Sequence, residues 1–183
     1  MTTQSASNRP IGFPEKTEYT EASAKYISLI DPSLPILEQL QNNAKEIVQL
    51  YQSLQGSQLG LRYAPGKWTL KEILVHLIDD ERIYAYRALR FARNDTLMLP
   101  GFDQDEFTRF AEVSERPLNN ILEEYEAVRL STIKLFEGFS EAALLRRGST
   151  TEWTATVRAI LYHIAGHELN HLHVIKEKYL AVG

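Results

Sequence analysis

Residues 69–94 read TLKEILVHLIDDERIYAYRALRFARN. Thr69 followed by Glu72 is the Thr-x-x-Glu pattern of a capping box, in which hydroxyl and carboxylate satisfy orphan backbone N–H groups at a helix start. Leu70, Ile73, Leu77, Tyr84, Ala88 and Phe91 recur at helical spacing and make one apolar arc. No proline lies between residues 66 and 99, so nothing interrupts a helix running to Asn94. A long one-sided helix needs partner faces, and the rest of the chain has to supply them.

Three other segments carry the same pattern. From Pro35 onward Leu37, Leu40, Ala44, Ile47, Val48, Tyr51 and Leu54 form a stripe that Gly56 and Gly60 close. Another stripe starts near Pro117, a favoured residue in a first turn. It carries Ile121, Leu122, Tyr125, Val128, Thr132, Leu135 and Phe136 and closes at Gly138. A last helix runs from Thr154 to Leu180. Residues 95–116 make a long connection holding Pro100, Gly101 and one short helical piece, Asp105 to Ala111. Ser140 to Arg147 reads as a second short helix, capped by Ser140 and ended by Gly148. No stretch alternates as a strand does. The fold class is all-α: a four-helix bundle with a long crossover between helices two and three. An irregular N-terminal arm, residues 1–34, precedes the helical domain of residues 35–183. The arm holds Pro10, Gly12, Pro14 and Pro32, and its first several residues are expected to be mobile.

Composition narrows the function. The 183 residues are 44% hydrophobic and 24% charged, as in one globular domain. With no cysteine there is no disulfide scaffold, thiolate metal site, iron–sulfur cluster or cysteine nucleophile, so His, Asp or Glu must hold any metal. A net charge of −4 argues against a general nucleic-acid partner, whose affinity would come from Lys and Arg. No run approaches the roughly 18 apolar residues of a membrane span, and the polar start has no signal-peptide pattern. The expectation is a cytoplasmic protein with neither membrane nor nucleic-acid partner.

Of five histidines, His163, His167, His171 and His173 fall on the fourth helix. At about 100° per residue, with His167 at zero, His171 lies at about +40° among Ile160, Ile164 and Val157. His163 is marginal, at about −40°, and His173 points away, at about −120°. Two inward histidines one turn apart fit either a metal site or core residues satisfied by hydrogen bonds. His163 and His171 are about 12 Å apart along the helix, too far to share one ion with His167 between them. A third ligand must come from elsewhere, and His76 lies within the inward arc of helix two. Two histidines from one helix and one from another make a three-nitrogen site with an open position. If helix three runs parallel to helix two, the levels favour His167 and His171. An up-down-up-down bundle would favour His163 and His167.

Asp80 and Arg87 share the His76 face. They could orient a ligand and bind an anion, or pair with each other at a wet edge. Residues 167–171 match His-Glu-x-x-His. The metzincin extension is missing, however, because Val174 and Glu177 stand where glycine and histidine are needed. Only twelve residues follow His171 and no sheet precedes the motif, so a zinc protease is set aside. Glu168 could reach a metal-bound water or lie on the surface.

The segment Trp68-Thr69-Leu70-Lys71-Glu72, with Val75-His76-Leu77-Ile78-Asp79-Asp80-Glu81-Arg82, resembles the helix-two motif of the DinB/YfiT-like superfamily. Gly166-His167-Glu168-Leu169-Asn170-His171-Leu172 with Ile175 resembles its second motif, and Tyr63 to Lys67 also fits. The resemblance spans residues 35–181. It implies a four-helix bundle with a crossover between helices two and three, frequent homodimers, and a divalent metal on His76, His167 and His171. Imidazole suits zinc, nickel, copper and iron, with zinc or nickel the expectation. Relatives include thiol-dependent transferases and an isomerase that use low-molecular-weight thiols such as bacillithiol or mycothiol. The function expected is a metal-dependent transferase or hydrolase of small molecules, possible thiol partner included. The alternative is a non-catalytic metal- or small-molecule-binding bundle.

Overall fold

The computed structural model describes residues 10–180; the expected mobility of the first several residues falls outside them. Seven α-helices occur among the described residues: α1 (Glu21–Ile27), α2 (Ile36–Ser53), α3 (Leu70–Ala92), α4 (Gln104–Phe110), α5 (Leu118–Glu137), α6 (Glu141–Leu144) and α7 (Val157–Val174). The four long ones, α2, α3, α5 and α7, are the bundle. The capping box of α3 forms as read: Thr69 Oγ1 accepts from the Glu72 N–H at 3.1 Å, and Glu72 accepts from the Thr69 N–H at 2.6 Å. Beyond α7 the chain continues through Ile175–Leu180 as a π-helical stretch.

Contacts along the helices fix their directions. Lys71 near the start of α3 reaches Ser114 just before α5, and Arg93 at the end of α3 lies over Phe139 after α5. Helices α3 and α5 therefore run parallel, as the long 95–116 crossover allows. Phe91 late in α3 meets Trp153 just before α7, whereas Tyr179 beyond α7 donates to the Trp68 carbonyl before α3. Helix α7 is thus antiparallel to α3.

Two expectations need correction. The arm is not wholly irregular, because it contains α1, whose two turns are too short to show periodicity. The chain also has strands: β1 (Arg147–Ser149) pairs antiparallel with β2 (Thr154–Thr156), where a short-helix end and the start of the fourth helix were expected. Three-residue strands cannot reveal an alternation. Leu99 joins this hairpin through its N–H to Ser149 and its carbonyl from Thr151, which ties down the crossover. Gly148 is required there, since a Cβ at that position would sit 2.0 Å from the Phe91 ring.

The buried apolar residues form two groups. One contains Leu40, Phe91, Phe136 and Ile160, the other Ile47, Leu74, Tyr125 and Ile175. Between them every long helix places buried polar groups: Asn43 on α2, Asp80 and Glu81 on α3, Arg129 on α5, His167 and Glu168 on α7. A polar layer thus crosses the bundle at mid-height.

Helix α1 lies across α7, and the arm also buries Ile27 and Ile30. Gly166 makes that crossing possible, because a Cβ there would come within 2.1 Å of the Tyr26 carbonyl oxygen. Glu18 clamps the arm, accepting from Thr156 Oγ1 and Arg158 Nε at 2.7 Å each, and from Arg158 Nη2. Burial opposes the Glu18 charge, but the Arg158 and Thr156 hydrogen bonds outweigh it and bring its pKa from 4.5 to about 2. The folded pKa is depressed, so the clamp is fully present above pH 4.5 and is lost as pH falls toward 2. Glu18→Gln should lower the amide protection factors across residues 16–30 at neutral pH, and acidified wild type should approach the same protection factors. Equal protection in the two proteins at neutral pH would sink the clamp.

Candidate metal centre

His76 sits in the second turn of α3, and His167 and His171 sit one turn apart on α7. The antiparallel run of these helices brings the three to one level. The Nε2 atoms of His76 and His171 lie 3.2 and 3.0 Å from Nε2 of His167. All three ligand atoms fall within 4.8 Å of one another. Nitrogens at tetrahedral corners, with bonds of about 2.0–2.1 Å to an ion, are about 3.3 Å apart. His76 and His167 are buried and His171 is half-buried.

Asp80 decides the tautomer of His167. Its Oδ2 lies 3.2 Å from His167 Nδ1. Burial would raise the Asp80 pKa, but the surrounding imidazoles, His167 foremost with His163 and His76, together outweigh this and hold the carboxylate well below its usual range. An ionised carboxylate only accepts, so His167 Nδ1 carries a proton toward it, and in the neutral imidazole Nε2 then presents a lone pair. That single lone pair cannot satisfy both His76 and His171 as donors. A cation at the common point, receiving a lone pair from each imidazole, fits this donor set. Burial, reinforced by His167, lowers His76 to about 4, and the same two causes put His171 well below 6.5. Both rings are therefore neutral at neutral pH. Asp80→Asn should weaken divalent-ion affinity about 10–100-fold by releasing His167, as read by titration against a chelator. Unchanged affinity would remove Asp80 from the site.

Aromatic rings wall the cluster. Trp68 packs at 4.6 Å on His76, and Tyr26 of the arm meets His167 edge-on at 5.3 Å. Two clefts flank it. One of about 330 Å³ is lined by Tyr63, Lys67, Trp68, His171 and Tyr179. The other, about 660 Å³, is lined by Asp80, Tyr84, Phe102, Asp103 and Glu152. Gln104 and Asp105, at the start of α4, border both clefts, so the crossover edges the cleft that opens on His171.

Other singled-out residues take different places. His163 stays out of the trio: its Nδ1 pairs with Ser23 Oγ at 3.0 Å and its ring stacks on Tyr84 at 4.3 Å. His173 is exposed. Arg87 does not pair with Asp80. It donates to the Pro100 carbonyl at 2.9 Å and lies over Tyr84, Phe102 and Trp153, holding the crossover.

Glu168 is neither on the surface nor in the three-histidine group. It is 1% exposed and accepts from Arg129 at 2.7 and 2.9 Å and from the Tyr125 hydroxyl. The sequence marks Arg129 only by a charge at the fourth position after Tyr125, inside the apolar stripe of α5.

A model of the DinB superfamily matches residues 39–175. Among solved structures, YfiT from Bacillus subtilis is similar, with a TM-score of 0.66, 17% sequence identity and 94% of each chain covered. YfiT is described as a probable metal-dependent hydrolase with an unusual four-helix bundle topology. At that identity the likeness speaks for the fold. No curated protein matches the chain.

Proposed function

The chain belongs to the DinB superfamily, and from that premise we propose that it is a metal-dependent hydrolase of small molecules with a divalent ion on His76, His167 and His171. The convergence of three imidazole nitrogens beside two open clefts carries this reading. The fold likeness to YfiT, itself described as a probable metal-dependent hydrolase, supports hydrolysis. Transfer to a low-molecular-weight thiol is the alternative chemistry for the same open position.

A bound divalent ion would supply Lewis acidity and a nucleophile active at neutral pH. The chain's own residues do the rest. Asp80 keeps the His167 proton on Nδ1. Burial keeps His76 and His171 uncharged. Trp68 shields His76 from solvent, and Lys67 with Tyr63 stands ready to hold a substrate beside His171. Three nitrogen donors with no sulfur suit zinc or nickel.

The same reading includes a cytoplasmic homodimer, for which exposed Phe107 and Phe110 supply an apolar patch; no helix among the described residues is long and apolar enough to cross a membrane. Sedimentation at the mass of a single chain would overturn the dimer.

The test begins with metal analysis of protein purified without added metal, where about one equivalent of zinc or nickel per chain is expected. A panel of chromogenic esters and amides, with and without low-molecular-weight thiols, should then give rates that follow metal occupancy. A protein that takes up no divalent ion overturns the proposal. A loaded protein inert to the whole panel overturns the enzyme and leaves a binding bundle.

A further inference from the structure

Helix α7 carries histidines at 163, 167 and 171, a row repeating every turn. Sliding α7 by four residues, about 6 Å along its axis with a rotation of about 40°, would put His163 where His167 stands and His167 where His171 stands. The histidines alone do not choose between these registers, because either presents two imidazoles to His76.

The polar layer does choose. Arg129 is 3% exposed, and all five of its N–H donors find acceptors. Nε and Nη2 donate to Glu81 at 3.1 and 2.9 Å; Nη1 and Nη2 donate to Glu168 at 2.9 and 2.7 Å; Nη1 also donates to the Leu40 carbonyl at 2.7 Å. Glu81 follows Asp80 on α3, and Glu168 follows His167 on α7. Two consecutive residues on one ligand helix thus face two consecutive residues on the other. One pair, Asp80 with His167, touches directly at 3.2 Å. The second pair is joined through Arg129 on a third helix. A one-turn slip would withdraw Glu168 and leave a guanidinium and a carboxylate buried without each other. Buried ion pairs are a poor source of net stability, and setting register is their best-attested use. A lone polar layer in an otherwise apolar helix seam acts in the same way.

We propose that Arg129 is a positioning residue: its bridge from Glu81 to Glu168 sets the register of α7 on α3 and so selects His167 and His171, rather than His163 and His167, as partners of His76. The geometry stands alone, while its consequence for affinity rests on the metal site proposed above.

The test uses the triple variant Arg129→Met, Glu81→Gln, Glu168→Gln, which leaves no buried charge in the bridge and keeps an acceptor for Tyr125. Zinc is titrated against a chromogenic chelator, and ring-proton NOEs between histidines are recorded without metal. In wild type His76 should show contacts to His167 and His171, whose ring centroids each lie 5.0 Å away. In the triple variant zinc affinity should fall at least about tenfold, and a contact between His76 and His163 should appear.

Sensitivity to His163 separates register from general loosening. His163→Ala should alter wild-type affinity less than about threefold but cost the triple variant about tenfold more. A folded triple variant with unchanged affinity and unchanged contacts overturns the proposal. If it does not fold, Arg129→Lys keeps the charge and loses the fork. Weakened zinc binding at unchanged helix content then supports the inference, and unchanged binding overturns it. Wild type that takes no zinc, while its ring contacts still shift in the variant, supports the register and overturns the metal reading.

Discussion

His76→Ala should lower divalent-ion affinity by more than about a hundredfold, beyond the 10–100-fold effect of losing a residue that only orients a ligand. In the proposed site His76 is the one ligand from α3, and with it gone α7 offers only two nitrogens. Its Nε2 lies 3.2 Å from that of His167, and Trp68 closes one side of the ring, so no other side chain takes its place. His173→Ala should leave affinity unchanged, since that ring is exposed beyond the site.

Proton competition adds a second signature. Burial first, then His167, brings His76 to about 4 against an ordinary 6.5. Solvent-exposed imidazoles would surrender a metal as pH falls through 6.5, whereas His76 should keep its lone pair until pH nears 4. Chelator competition across this range, on wild type and His76→Ala, reads both effects. An affinity that drops tenfold or less on loss of His76 would refute the three-histidine site.

Arg129→Ala should destabilise the fold by about 3–5 kcal/mol, because it strands Glu81 and Glu168 in the interior without a countercharge. For a chain of this length that is a fall in Tm of about 6–20 °C, measured by circular dichroism. The neutral triple variant should melt much closer to wild type, because replacing an entire buried triad is often tolerated. A single variant melting within about 2 °C of wild type would show that water reaches the bridge.

Much of this was legible in the sequence, for reasons particular residues make plain. The four long helices announce themselves because their stripes run through several turns, and Thr69 with Glu72 marks the start of α3 by local chemistry alone. The inward pointing of His76, His167 and His171 follows from helical angles, and the long crossover admits the parallel run of α3 and α5. Helix α1 leaves no mark in the sequence because seven residues make too few turns for a stripe, and the room it needs against α7 comes from Gly166 far along the chain.

Glu168 is obscure in the sequence for a different reason. Its angle, about +100° from His167, lies between those of Ile175 and Leu161, so its inward direction was available. A carboxylate on an inward arc has no meaning until its partner is known. That partner, Arg129, interrupts the stripe of another helix. A wheel drawn for one helix cannot show that three helices bring charges to one point.

The arm clamp also sets an order of events during synthesis. Glu18 to Arg158 and Ser23 to His163 each join residues 140 positions apart. At ribosomal rates of about 5–20 residues per second, about 7–28 s separate the appearance of the two sides of either contact. Throughout that interval Ile27 and Ile30 have no α7 to lie against. Helices α2, α3 and α5 emerge meanwhile and can collapse on one another, with the groove for α7 still open. The arm therefore precedes the bundle helices in translation and follows them in docking, so a chain stalled before residue 157 would expose apolar residues at both places to chaperones.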